Sequence, residues 1–392
     1  MRKNPLFRRS WGIPAVAVAL SLLSTLPASA QFPGLTLPPG GDNQRSVVTQ
    51  YMGLVSVTVD YNSPDVTSPT GEDRTGKIWG QLVPYGMPSL GFGTCTECPW
   101  RVGANENTIV TFSHDVHVQG KPLAAGNYGL HMAPGEDEWT VIFSHNSTAW
   151  GSFFYAAAED ALRVQVKPKK ADFREWLTFD FVDRQLDSSV LAMHWENLEV
   201  PIEISVPDLV GLYVKNIQAE LQNSQGFTWQ NWNAAAQFLL QRDTENQHGE
   251  LALEWADQAI NAPFGIGAKN FTTLQTKSLV LQRQGKSAEA KSLMAEAMEH
   301  PTATPLLIHA YARTLVGQGE TEEAMEVFRK NAEMYPDTWP VELGLARGYS
   351  ALGNYKKALA HAEKALDHAP AAFNRQNVEN IIQTLKEGKD VN

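Results

Sequence analysis

The densest grouping of side chains able to do chemistry is Trp100, Arg101, Asn105 and Glu106. A guanidinium beside an indole, followed by an amide and a carboxylate, can hold a polar ligand such as a sugar, peptide or carboxylate through stacking and charge-assisted hydrogen bonds. The same residues also suit a structural role, in which Arg101 and Glu106 pair to fix a loop and Gly103 takes a tight turn. His131 is the fifth member of the candidate ligand set. Trp150-Gly151 with Phe153, Phe154 and Tyr155 is either an aromatic rim for a ligand or a loop plugging one end of a domain.

Cys95 and Cys98 are the only cysteines of the chain. In an exported protein such a pair forms a local disulfide that clips its loop, at the low end of the usual ~2 to 4 kcal/mol because the closed loop is short. A redox role needs a helix N-terminus beside the motif to lower a thiol pKa. Gly91-Phe92-Gly93-Thr94 and Pro99 offer none. A zinc site needs two further ligands.

The histidines complete the inventory. His114 falls in register with Val110, Phe112, Val116 and Val118, which places it on an apolar face of a strand, and His117 points the other way. A hydrolase of glycan or peptide bonds would use Glu106 or Asp60 as acid or base, with His131 or His145 nearby. No His-Glu-x-x-His, Gly-x-Ser-x-Gly or phosphate-binding glycine loop is present. The expectation is a protein that binds rather than catalyses, with no cofactor and no metal.

These residues lie in a stretch patterned for strands. Apolar residues alternate with polar ones in Val55-Val57-Val59-Tyr61, Trp139-Val141-Phe143, Leu162-Val164-Val166, Leu177-Phe179-Phe181, Leu191-Met193-Trp195 and Val200-Ile202-Ile204-Val206. Turn signals such as Ala125-Gly126-Asn127 and Pro134-Gly135-Glu136-Asp137 separate them. Strands that follow one another without helices predict an antiparallel β-sandwich, jelly-roll-like, over residues 47–206. After Pro207 the period becomes helical, and Leu209, Leu212, Tyr213 and Ile217 predict a linking helix within 207–226.

From 227 to 392 the chain repeats itself. Gly285, Ala290 and Ala297 are matched by Gly319, Ala324 and Asn331 and again by Gly353, Ala358 and Ala365, at a spacing of 34 residues, with Pro336 and Pro370 closing units. This resembles the tetratricopeptide repeat, two antiparallel helices per unit. Asn331 departs from the expected Ala, and Ile308 and Glu342 stand where a large aromatic is usual. A looser unit carries Ala252 and Ala259, with an insertion near Pro263 to Gly267, and Arg375 to Lys386 predicts a terminal helix. The resemblance implies a solenoid whose concave surface holds a protein or peptide partner.

The strand-rich part resembles a family of exported bacterial proteins catalogued as domain of unknown function 2911. The resemblance is carried by Leu82-Val83-Pro84-Tyr85-Gly86, Trp100 to Glu106, Gly120 to Leu130, Trp139 to Phe143 and Trp195-Glu196-Asn197. It implies a domain boundary but no catalytic residues. Between Gly86 and Trp100 this chain has a longer loop than the family pattern, and both cysteines lie in it.

Composition and charge bound the rest. The 392 residues carry 32 Lys and Arg against 43 Asp and Glu, and 43% of them are hydrophobic, which describes a globular protein with two domains. The net charge of −11 argues against a nucleic-acid or anionic-membrane surface. Arg2, Lys3, Arg8 and Arg9, an apolar run from Ile13 to Leu26, and Ala28-Ser29-Ala30 predict a secretory signal peptide at 1–30, whose removal takes the charge to −15. A Pro/Gly-rich lead-in spans 31–46. The expected product is exported, periplasmic or secreted, with no membrane span after signal removal. It joins a β recognition domain, open to a small polar ligand, to a repeat domain for protein binding.

Overall fold

The computed structural model describes residues 43–392. The signal-peptide expectation for 1–30 and most of the 31–46 lead-in fall outside the described residues. Ten strands come first: β1 Gln44–Met52, β2 Val55–Ser63, β3 Thr108–Phe112, β4 Val116–Val118, β5 Lys121–Leu123, β6 Gly126–Ala133, β7 Trp139–Ser144, β8 Asp160–Val166, β9 Lys169–Val182 and β10 Ser188–Ser205. They form two antiparallel sheets, β1-β2-β3-β6-β7-β8 and β5-β4-β10-β9. One apolar core lies between them, built from the inward halves of the alternating strands: Val55, Val57 and Val59 from one sheet meet Leu177, Met193 and Ile202 from the other. The period of two in the sequence is the physical cause, since it puts every second side chain on the buried face.

Four local expectations change. β1 starts at Gln44, inside the segment expected as lead-in, because pairing with β2 in unbroken register from Gln44–Ser63 to Met52–Val55 gives it a full ladder. Gly126 and Asn127, expected in a turn, open β6 and pair with Phe112 and Thr111. The two predicted strands around Met193 and Ile202 are one strand, β10. It bends at Glu196, whose φ of +53° and adjoining register shifts mark a bulge that lets one strand serve both β9 and β4. His114 is not on a strand face: residues 113–115 carry the chain from the six-stranded to the four-stranded sheet, and His114 Nδ1 lies 2.9 Å from Ser113 Oγ.

Between β2 and β3 a long excursion, 64–107, closes one end of the sandwich. Val66, Ile78, Val83 and Val102 from it enter the core. Trp79 packs edge-on against Trp100, Trp139 and Trp195.

Ten helices follow: α1 Leu209–Leu221, α2 Trp229–Arg242, α3 Gly249–Asn261, α4 Phe271–Arg283, α5 Ser287–Glu299, α6 Pro305–Gly317, α7 Thr321–Met334, α8 Trp339–Ala351, α9 Tyr355–His368 and α10 Ala372–Lys386. α2 to α9 pack as pairs, α2 on α3 through α8 on α9, with α10 closing the stack on α9. First helices of neighbouring pairs also touch, α2 with α4 and α6 with α8, so they form the inner layer. Ala290, Ala324 and Ala358 are fully buried where helices cross. The unusual Asn331 is buried too, and its Nδ2 donates to the Pro305 carbonyl at 3.0 Å. Glu342, in place of an aromatic, accepts from His361 Nδ1 at 2.7 Å. The insertion at 263–267 lies in the loop between α3 and α4. Among the described residues no helix is long and apolar enough to cross a membrane.

Candidate functional site

The 64–107 excursion brings the Trp100 segment onto the sandwich. Trp100 extends the six-stranded sheet by a two-way backbone bridge to Met132 on β6, with N–O distances of 2.7 and 2.8 Å. Its ring stacks on Trp195 of β10 at 6.0 Å and 16°. Beside this pair opens a cleft of about 410 Å³, bordered by Trp100, Arg101, Trp195, Ser152, Phe153 and Arg74.

The cleft holds two guanidinium groups of different character. Arg74 is tied to its own loop through two nitrogens, Nε donating to the Val66 carbonyl and Nη2 to the Asp65 carbonyl at 2.9 Å each, with the Asp65 carboxylate at 3.6 Å, while Nη1 has no hydrogen-bond partner among the described residues. Arg101 makes a single hydrogen bond among the described residues. Its Nη1 donates to the Asn105 carbonyl at 3.1 Å, and its plane lies over Trp150 at 5.2 Å. Burial lowers its pKa while the Glu106 charge opposes the change. A half-buried, stacked guanidinium with donors to spare is suited to an anionic or carbonyl-bearing ligand.

The Arg101–Glu106 pair weighed from the sequence does not form among the described residues. Glu106 is exposed and accepts instead from Asn62 Nδ2 at 3.0 Å. Asn105 contributes its carbonyl, and its φ of +56° turns the loop back to Arg101.

His131 is placed apart from the cleft opening. It sits on the face of β6 opposite Leu130 and Met132 and is nevertheless buried, because the segment after β7 covers it. Asn107 Nδ2 lies 3.0 Å from its Nε2 and Ser152 Oγ 3.0 Å from its Nδ1. An amide nitrogen can only donate, so Nε2 accepts and Nδ1 carries the proton toward Ser152. Burial holds this imidazole neutral, with a pKa down to about 4. Gly129 on the same face allows the cover: a Cβ there would stand 2.4 Å from the Asn146 carbonyl and 2.8 Å from Asn107 Nδ2.

Of the five candidate residues, the structure thus gathers Trp100, Arg101 and the Asn105 carbonyl. It turns Glu106 outward and seals His131 inside. Asn107 and Ser152 escaped notice in the sequence because a lone amide and a lone hydroxyl carry no pattern.

The acid and base groups considered for hydrolysis are dispersed. Asp60 is paired with Arg45, and His145 is exposed at the end of β7 against Tyr128. Among the described residues no three His, Cys, Asp or Glu side chains gather as metal ligands.

Cys95 and Cys98 are bonded to each other. Their loop clamps the aromatic arm: the amides of Thr94 and Cys95 both donate to the Phe153 carbonyl at 3.0 Å, and Phe92 meets Phe153 and Phe154 edge-on. Trp150 and Phe154 remain exposed and Phe153 half-buried, so the arm rims the cleft rather than filling the core.

The chain is similar to the C-terminal part of a TPR repeat-containing protein from Cytophaga hutchinsonii, at 14% identity over 45% of this chain and 67% of that one, TM-score 0.32. It is similar to a thermophilic TPR protein of Thermus thermophilus, at 18% identity over 44% of this chain and 95% of that one, TM-score 0.30. A third is YrrB, a TPR protein with an unusual peptide-binding site, at 16% identity over 43% and 86%, TM-score 0.27. No curated protein matches the chain. Residues 43–204 match the family described as Protein of unknown function (DUF2911). The residues that match this family model are the ones built as two antiparallel sheets, and the paired helices with the 34-residue period follow them.

Proposed function

We propose that this is an exported, non-catalytic binding protein in which the repeats hold a protein partner and the β domain recognises a small polar ligand at Arg101. The observation that carries the first part is the inner layer of first helices, where Arg313 of α6 is exposed. A row of stacked helices with an open polar inner face is a surface for an extended chain. Arg101, with unused donors beside the Trp100–Trp195 stack, supports the second part. Export is supported by the residue pattern of 1–30 and by the Cys95–Cys98 bond, which persists in oxidising compartments.

The test is photo-crosslinking in living cells from an amino acid placed at Arg313 of the full chain. A discrete crosslinked protein is expected there. None is expected from Glu326, exposed on the second helix of the same pair. The absence of any product at Arg313 would remove the protein-binding reading.

A further inference from the structure

The chain supplies its own occupant for part of the inner face, an inference that rests on the protein-binding reading above. Arg313 in α6 and Arg347 in α8 stand 34 residues apart, at the same place in successive first helices. Equivalent positions of a solenoid have like surroundings unless something is added. Arg313 is exposed, whereas Arg347 is only 8% exposed. One turn further on, Val316 is half-buried while Ser350 is 1% exposed. What is added over α8 is the segment that follows α10.

Gly388, at φ +71°, turns the chain back after α10, with its amide donating to Leu385 and that of Lys389 to Thr384. Residues 390–392 then lie along α8 as a bound peptide would. Ser350 Oγ donates to Asp390 Oδ1 at 2.6 Å and accepts from the Val391 amide at 3.1 Å. Arg347 Nη1 donates to the Val391 carbonyl at 2.6 Å, and Asn392 Nδ2 donates to the Arg347 carbonyl at 3.1 Å. The Val391 side chain packs on the cluster that includes Leu343, Ala346 and Leu385.

The seat is incompletely matched. Arg347 Nε is buried without a partner. Burial pushes Arg347 down to about 10, and the neighbouring charge of Arg313 acts in the same direction while Asp390 opposes. The charged neighbours felt by Arg347 are thus one further cation, Arg313, and one carboxylate, Asp390.

We propose that residues 389–392 are an internal stand-in for the partner of the repeats. The inner face takes an extended acidic segment, with Asp followed by an aliphatic residue at Ser350 and Arg347 and a further acidic group at Arg313, and the partner gains the α8 end by displacing the tail. A short tether holds the tail at an effective concentration on the order of millimolar, so a ligand that reaches both arginines is needed to displace it.

The experiment uses a fluorescent peptide of residues 387–392 titrated into the full chain and into the full chain carrying Asp390→Asn with Val391→Gly. The tail variant should bind at least tenfold more tightly, and adding Arg347→Gln should return it to the unmodified level. A chain ending at Gly388, with its helical circular dichroism intact, should behave as the tail variant does. No gain in binding in either tail variant overturns the proposal, and so does equal binding of a peptide with Lys in place of Asp. Crosslinking at Arg313 separates the two readings. A partner captured equally with and without the tail substitutions overturns displacement while leaving protein binding standing. No partner in either removes both.

Discussion

His131 shows how a side chain suited to catalysis becomes structural. Both ring nitrogens are engaged, by Asn107 and Ser152, and burial holds its pKa near 4 against an ordinary value of 6.5. An unfolded chain takes up the proton below about 6.5, whereas the native one resists until about 4. Stability from this site is therefore full above about 6.5 and declines as pH falls toward 4, by on the order of 3 kcal/mol in total. Urea unfolding followed by tryptophan fluorescence, which reports the buried Trp139 and Trp195, should show that decline, and His131→Asn should flatten it. Replacement also leaves Ser152 and Asn107 without their partner, so at pH 8 the variant should lose roughly 1 to 3 kcal/mol. The sequence flagged His131 but not its partners. Their meeting depends on β6, the end of the excursion and the segment after β7 converging, which no spacing encodes.

Among elements, the 88–98 loop and the aromatic arm form one unit. The disulfide closes few residues, so its effect on global stability is small, but the amides of Thr94 and Cys95 depend on the loop's shape to reach the Phe153 carbonyl. Cys95→Ser with Cys98→Ser should raise hydrogen exchange at Thr94 and Cys95 and hasten proteolysis at 150–155, while unfolding shifts by less than roughly 2 kcal/mol. Unchanged exchange would mean that the loop holds its shape without the bond. Gly129 tests the cover over His131. Gly129→Ala puts a methyl group against two fixed neighbours and should cost roughly 1 to 3 kcal/mol. Strand positions were largely legible, because alternation reports a buried face directly. The fusion of two predicted strands into β10 was not, since the bulge at Glu196 answers to partners on two sides. The helices were legible in pairs because each crossing needs a small residue, as at Ala324 and Ala358.

At the scale of the molecule, the two domains meet where the β1–β2 hairpin touches α1. A Cβ at Gly53 would lie 2.9 Å from Leu209 Cδ1 and 3.1 Å from the Tyr213 ring, and the φ of +59° is itself unfavourable to other residues. Gly53→Val should loosen this contact, speed cleavage near Pro207 under limited proteolysis, and leave the spectra of both domains intact. An unchanged cleavage rate would mean that the hairpin is not what holds α1. The amino-acid sequence alone determined the change from strands to helices, the 34-residue repeat and the cysteine pair, because each depends on local periodicity or on residues close together in the chain. Tertiary structure alone decided that Arg74 is tied to its own loop through two nitrogens while Arg101 makes a single hydrogen bond and stacks on Trp150, that His131 is sealed, and that the tail lies on Arg347. Each of these follows from what long-range folding packs over a side chain, and burial and pairing, rather than residue type, set whether a charged or polar group is available to a ligand.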